Sequence, residues 1–339
     1  MRHKLITSAA ILSSLLVIII VFGNIVIVAQ MGDVTGTWTA KIRDSDEKHR
    51  TSKADDDDDD DDDLDRFDPK ADKGGPRLHL NLQRERRGEN WSSGQSYRFD
   101  EISGLTEAQT QNGPVNFTIA REAGQVSFTG SFSNGQGSGT FTFAPDRGFF
   151  DRMQQRGFDF YKDEPEEKNV RRSNFEDRAL TAFFLNVTAE RADDLLSANF
   201  GDLGIDDLFK ATIFKIDGKF MSEMKATGYP NLSMEDLVKA RIFKIDANYV
   251  SQIRSMGYDK GNFESLVKFR IFKVTPEFLN ELRSAGLSNI SAADIVKCRI
   301  FNIDAEYVRN ARAKDPNASI EDIVKMKIGL GRGFMRDEL

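Results

Sequence analysis

The chain has 339 residues, of which 39% are hydrophobic, and a formal net charge of −7; this length allows about two domains plus appendages. Its single cysteine, Cys298, excludes any intramolecular disulfide, so stability must come from packing, which a chain of this length can supply. The run Asp55–Asp63 supplies nine of the negative charges, and without it the remainder is close to neutral, so net charge says little about partners.

Residues 1–30 open with Met1-Arg2-His3-Lys4 and turn apolar from Leu5 to Val28, with Ala29 at the end. A basic start, an apolar middle and a small terminal residue describe an export signal, cleaved after Ala29 or Gln30. The apolar run is also long enough to span a bilayer, so an uncleaved N-terminal anchor is the alternative. Both place the rest of the chain outside the cytoplasm. A first strand is expected over 31–42, with Val34, Gly36, Trp38, Ala40 and Ile42 on one face. Residues 43–76 are charged and nearly free of apolar side chains, and they predict a disordered acidic loop. The Asp run lacks the spaced ligands and glycine turn of a calcium loop.

Strand signals resume over 77–148. Leu78, Leu80 and Leu82 alternate with polar residues, and further runs follow at Trp91–Phe99, Val115–Ile119, Val126–Phe128, Phe132 and Phe141–Phe143. Period-two alternation with Gly and Asn between runs predicts six or seven antiparallel strands in a small barrel or sandwich. Ala123-Gly124 and Asn134-Gly135 fit hairpin turns. Gly137 and Gly139 predict a bulge or a close approach. Ile102–Leu105 fits a short helix or turn across one end of the sheet. Gly36-Thr37-Trp38 resembles the Gly-x-Trp that opens lipocalin-like barrels, where the Trp plugs the closed end. That resemblance implies a barrel able to take a small apolar ligand; the plainer reading is a barrel filled by its own Trp and Phe side chains.

A charged connector with some helical character is expected over 149–183, leading into the first of five repeats over 184–328. Phe184, Ile213, Ile242, Ile271 and Ile300 begin matching segments, each 29 residues after the last, and Ile328 starts a truncated echo one residue early. A fixed period in this range predicts a stacked array. Each unit spells two short helices. In the clearest one, Thr275 caps the first, Pro276 takes its first position, and Gly286 ends it. Ser291 caps the second with Asp294 as reciprocal partner. Gly228 and Gly257 repeat the stop signal, and Ser233 and Ser319 repeat the cap. The first unit is degenerate, with Gly204 for the Ser and Asn199 for the Gly, as a terminal repeat should be. Hairpins this short bury their apolar faces only by stacking on neighbours, which leaves a long surface for macromolecules and no buried reaction pocket. Residues 329–339 form a flexible tail ending Arg336-Asp337-Glu338-Leu339, similar to an ER-retrieval signal; an ER-lumenal eukaryotic location is therefore the alternative to a bacterial envelope. Six Asn-x-Ser/Thr sequons begin at Asn90, Asn116, Asn186, Asn231, Asn289 and Asn317, and three of them coincide with turns and caps that the repeat needs anyway.

Motifs of catalysis are missing. The histidines are His3, His49 and His79, with no His-Glu-x-x-His, no cysteine pair, no nucleophile elbow and no phosphate loop. No cofactor or metal is expected, and an enzyme is the minority reading. Cys298 on the second helix of a repeat fits a small buried hydrophobe. One pattern remains. Lys210, Lys239, Lys268, Lys297 and Lys325 hold one place in successive units. Arg241, Arg270, Arg299 and Lys327 follow two residues later, and Lys215, Lys244 and Lys273 lie just beyond. These cations either complement helix dipoles or form a docking stripe for an acidic partner. Aromatics suited to base stacking are not interleaved with them, which argues against nucleic acid.

The core Ile271-Phe-Lys-Val-Thr-Pro-Glu-Phe-Leu-Asn-Glu-Leu-Arg-Ser-Ala-Gly286 resembles repeat arrays of bacterial extracytoplasmic proteins, some appended to membrane zinc peptidases of the beta-lactam-sensor type. The resemblance covers the repeats and implies a periplasmic or surface setting; the peptidase motif is missing. The fold expected is α+β, a small antiparallel β barrel or sandwich followed by a helical repeat array. The function expected is a non-catalytic, exported interaction protein binding a protein or envelope partner. A carrier or sensor of a small apolar ligand is the second reading, and a hydrolase with an unrecognised carboxylate site the third.

Overall fold

The computed structural model describes residues 19–22, 25–28, 34–43, 75–86, 89–162, 174–229, 231–258, 262–287 and 289–329. The chain divides into two compact units, residues 1–155 with 159–189, and residues 156–158 with 190–339. The architecture is α+β, as the patterning requires. Of the apolar stretch read as a signal or anchor, the described parts are β1 (Ile19–Phe22) and β2 (Ile25–Val28), which pair antiparallel. No helix among the described residues is long and apolar enough to cross a membrane. The Asp55–Asp63 run and the tail beyond Gly329 lie outside the described residues.

Six ten-residue strands build the sheet: β3 (Val34–Arg43), β4 (Arg77–Arg86), β5 (Glu89–Arg98), β6 (Asn112–Arg121), β7 (Gly124–Ser133) and β8 (Gln136–Pro145). Their order is β5-β4-β3-β8-β7-β6, antiparallel throughout. This is an up-and-down meander with β8 returning to pair with β3, but β5 and β6 do not pair. The expected barrel or sandwich is thus one curled sheet left open at a single seam. Ser103, in the segment joining the two edge strands, exchanges backbone hydrogen bonds of 2.9 Å with Thr118 of β6, capping part of one free edge. Of the short helix or turn expected at Ile102–Leu105 the structure has the turn, flanked by 3-10 helices at 99–101 and 107–110.

Alternation places Leu78, Leu80, Leu82, Val115, Phe117, Ile119, Phe141 and Phe143 in the core. Trp38 lies at its centre. Its indole N–H donates to the carbonyls of Thr140 at 3.1 Å and Thr129 at 3.3 Å, and its ring meets Phe117 and Phe132 at 5.5 and 5.7 Å. β3 and β6 are three ladders apart, about 14 Å in a flat sheet, so this contact requires strong curvature. The glycines explain how the ring fits. Gly139 pairs with Trp38, and Gly130 with Gly139; a Cβ at Gly139 would sit 2.8 Å from the indole nitrogen, and one at Gly130 2.6 Å from the ring. Pairing runs without a break, so close approach, not a bulge, accounts for Gly137 and Gly139. Asn134 and Gly135 both have positive φ, 50° and 76°, giving the expected two-residue hairpin turn. The preceding hairpin turns one residue early, at Glu122-Ala123, because Arg121 pairs with Gly124.

The stretch 149–183, read from its charge as a connector, contributes two packed helices to this unit. In α1 (Arg147–Gln155) the residues Phe149, Phe150 and Met153 are buried, and Asp146 caps it by accepting the Phe149 N–H at 3.0 Å. An apolar stripe of three is masked by the charged and polar residues around it when composition is averaged over the stretch. α2 (Phe175–Phe184) crosses the open seam. Phe184 touches Trp91 of β5, Phe183 touches Phe143 of β8, and Arg121 of β6 donates to the carbonyls of Phe183 and Phe184. Asp177 pairs with Arg84 of β4 at 2.8 Å. The segment beginning at Phe184 therefore starts inside the sheet unit, not as a free-standing repeat.

Among the described residues the array comprises five helix pairs. They are α3 (Ala189–Ser197) with α4 (Ile205–Ile213), α5 (Gly218–Ala226) with α6 (Met234–Ile242), and α7 (Ala247–Ser255) with α8 (Phe263–Ile271). The last two are α9 (Pro276–Ser284) with α10 (Ala292–Ile300), and α11 (Ala305–Lys314) with α12 (Ile320–Lys327). Even-numbered helices pack on the next even-numbered one, α4 through α12, and α5 packs on α7 and α9 on α11. The capping grammar holds. Thr275 accepts from Phe278, Ser233 from Asp236, Ser291 from Asp294 and Ser319 from Asp322. Gly228, Gly257 and Gly286 close their helices at φ 81°, 84° and 93°, with Asn199 left-handed in their place in the first pair. Four of the even-numbered helices, α4, α6, α8 and α10, close on a residue that is not glycine, whereas α12 closes on Gly329 at φ 76°. Lys215, Lys244, Lys273 and Asn302 have φ of 50–52°, and the next N–H reaches back five residues, as from Ile245 to the Ala240 carbonyl at 2.7 Å. This is a Schellman closure, whose left-handed position favours Gly or Asn. Lys244→Gly is accordingly expected to stabilise the array by about 0.5–1 kcal/mol, seen as a higher midpoint in thermal denaturation followed by circular dichroism; a lowered midpoint would count against this account.

Candidate interaction face of the repeat array

The cations singled out by their spacing are distributed over three structural tasks. In the first series, Lys210 pairs with Glu235, Lys239 with Glu264 and Lys297 with Glu321, each Glu lying on the following repeat. The pairing raises the lysine pKa values and lowers that of Glu235, through the hydrogen bond foremost. Lys325 pairs within its own helix, with Asp322 at 3.7 Å. Lys268 interrupts the pattern, because Ala293 stands where the other rungs have Glu. The ladder expected at helix ends thus works largely as a clip between repeats.

In the second series each cation lies over an aromatic ring of its own pair. Arg241 sits 3.8 Å from the Phe220 centroid, Arg270 3.7 Å from Tyr249, Arg299 3.8 Å from Phe278, and Lys327 4.3 Å from Tyr307. The first pair exchanges the roles. Arg191 takes the aromatic's place and Thr212 the cation's, and Arg191 donates to the Ala211 and Ile216 carbonyls at 2.9 and 2.7 Å. A cation is held between the two helices in every pair, on one side or the other. The third series, Lys215, Lys244 and Lys273, occupies the left-handed closing positions described above.

A fourth ladder was not recognised from the sequence. Lys225, Arg254, Arg283 and Arg312 donate to the carbonyls of Asn199, Thr227, Met256 and Gly286, at the end of the odd-numbered helix one repeat back. Helix ends leave carbonyls without partners, and these cations supply the missing donors across the repeat boundary. The same 29-residue spacing carries them, so the signal was present.

The remaining chemistry is structural. His79 on β4 meets the Ser96 hydroxyl at 3.0 Å, and burial, then Arg43 and Lys41, lower its pKa. Burial pushes the Cys298 thiol up to about 11, consistent with an inert core residue. No group of His, Cys, Asp and Glu that could hold a metal occurs among the described residues. A cleft of about 180 Å³ lies beside Tyr258, Phe269, Ser265 and Ser291, with no charged side chain in its wall among the described residues.

Tyr249 yields a sharp test. Its hydroxyl is buried without a hydrogen-bond partner among the described residues, and burial raises its pKa from 10.0 to about 12. The equivalent positions of the two flanking pairs carry Phe220 and Phe278. Tyr249→Phe is expected to gain about 1 kcal/mol by removing an unsatisfied buried hydroxyl. Because the folded state holds this proton more tightly than the unfolded state, ionisation leaves wild-type stability untouched below pH 10 and lowers it relative to the Phe variant as pH rises from 10 toward about 12. Chemical denaturation at pH 8 and pH 11 measures both effects, and the gap between wild type and variant should change sharply with pH.

A scan against family models finds no match to this chain, and a search of curated proteins finds no similar one.

Proposed function

We propose that the chain is a non-catalytic, exported interaction protein that docks a protein or envelope partner along its repeat array. One observation carries this reading. Five helix pairs of one period stack so that each surface position recurs on successive even-numbered helices, giving an extended repeated face of the kind that suits macromolecular partners. The likeness of Ile271–Gly286 to arrays of bacterial extracytoplasmic proteins, together with the basic and then apolar N-terminus, supports a setting outside the cytoplasm. The ligand-carrier alternative gains nothing from the sheet unit, where Trp38, Phe117, Phe128 and Phe132 contact one another across its concave side.

Photo-crosslinkers placed singly at the exposed residues Lys244, Lys273 and Ser131 of the full chain test it. Exposure to native envelope fractions should yield one partner from the two array sites and none from Ser131 in the sheet. Crosslinks confined to Ser131, or a lipid recovered reproducibly with the purified chain, would overturn it.

A further inference from the structure

One apolar position in the repeat is left about half exposed in every unit. Ile213, Ile242, Ile271, Ile300 and Ile328 are the exposed large hydrophobic residues among those described, each 48–55% open. The first four end α4, α6, α8 and α10, and Ile328 caps α12. The Schellman closure needs an apolar residue three places further on, and Ile245, Val274 and Ile303 fill that place fully buried. Nothing in the closure calls for isoleucine at the exposed position, yet all five units carry it.

Because the even-numbered helices pack side by side, these side chains form a row with rungs about 8–10 Å apart. Cations accompany three of its five rungs. Lys215, Lys244 and Lys273 follow two residues after Ile213, Ile242 and Ile271, and Lys268 in the central rung has Ala293 at the place where Lys210, Lys239 and Lys297 meet a Glu. A polyproline-II helix turns once in three residues, rising about 9 Å, so its every third side chain falls on one face at the spacing of the rungs. A β-strand would turn every third side chain away. We infer that this row docks an extended acidic polypeptide in polyproline-II conformation, with an apolar side chain at every third residue and carboxylates between them facing the lysines. The inference deepens the docking role proposed above and rests on it. Such a ligand is ordered before it binds, which limits the entropy lost on docking.

Fluorescence anisotropy of a labelled peptide of repeated Leu-Pro-Glu triplets, titrated with the full chain, tests this. A control peptide has the same composition with its leucines gathered at one end. The patterned peptide should bind about tenfold or more tighter than the control. The triple variant Ile242→Ser, Ile271→Ser, Ile300→Ser should lose about tenfold or more in affinity while its melting temperature stays unchanged. Lys244→Glu with Lys273→Glu should weaken binding and flatten its salt dependence. Absence of binding, equal binding of both peptides, or full binding by the triple serine variant would overturn the inference. So would sedimentation with phosphatidylglycerol vesicles, or dimerisation in the ultracentrifuge, that the serine variant abolishes in place of peptide binding. The two levels are separable. If the partner crosslinked at the array is crosslinked equally in the serine variant, the isoleucine row fails and the docking role stands; if wild type yields no array crosslink, the docking role itself fails.

Discussion

Trp38→Ala should cost the sheet unit about 3–5 kcal/mol, enough to unfold much of it at room temperature. The side chain is 1% exposed, and its loss empties the space over Gly130 and Gly139, which have no side chains to collapse into it. It also removes the indole N–H bond to the Thr140 carbonyl, 3.1 Å long. Gly139→Ala attacks the same contact from the other side, since its Cβ would stand 2.6 Å from the Gly130 Cα and 2.8 Å from the indole nitrogen. Urea titration reads both variants, and the near-ultraviolet dichroism of the wild type reports the ring cluster. A loss below about 1 kcal/mol in either would mean that the ring is not the centre of the fold.

Leu237→Ala is the second large effect, about 2–5 kcal/mol. Leu237 is fully buried on α6, which packs between α4 and α8. In a stacked array such damage spreads through neighbouring interfaces instead of collapsing one common core. The companion experiment removes residues 247–275, one whole 29-residue period. It joins Asp246 to Pro276, so a capping residue still precedes α9. That deletion should fold and melt cooperatively with proportionately less helical signal, whereas removal of 247–260 alone should unfold the region, because odd-numbered helices would then meet even-numbered ones. Survival of the half-period deletion would sink the stacked-array account.

The repeat was legible because its information is local. A cap such as Ser233 and a stop such as Gly257 act within four residues of themselves, and a recurring period multiplies a weak signal fivefold. The strands were legible for the same reason, through alternation as clear as Leu78, Leu80 and Leu82. The helices α1 and α2 were harder, because Phe149, Phe150 and Met153 make a stripe of one short helix inside a run dominated by charge. The purpose of the cations was only half legible. Lys239 sits where a helix dipole favours it, but its carboxylate, Glu264, is 25 residues away, and nothing local to either residue announces the other.

The sequence by itself determined the caps and stops of the repeat helices, that the back half is modular, and that glycines in β7 and β8 needed a reason. Tertiary structure decided that the reason is the Trp38 ring, that the sheet stays open at β5 and β6 with α2 across the gap, and that two of the four cation ladders tie one repeat to the next while the isoleucines face outward. The division follows from range. Caps, turns and alternation are settled by neighbours along the chain, whereas curvature, seams and ladders depend on how far apart, and at what rotation, elements distant in sequence come to rest.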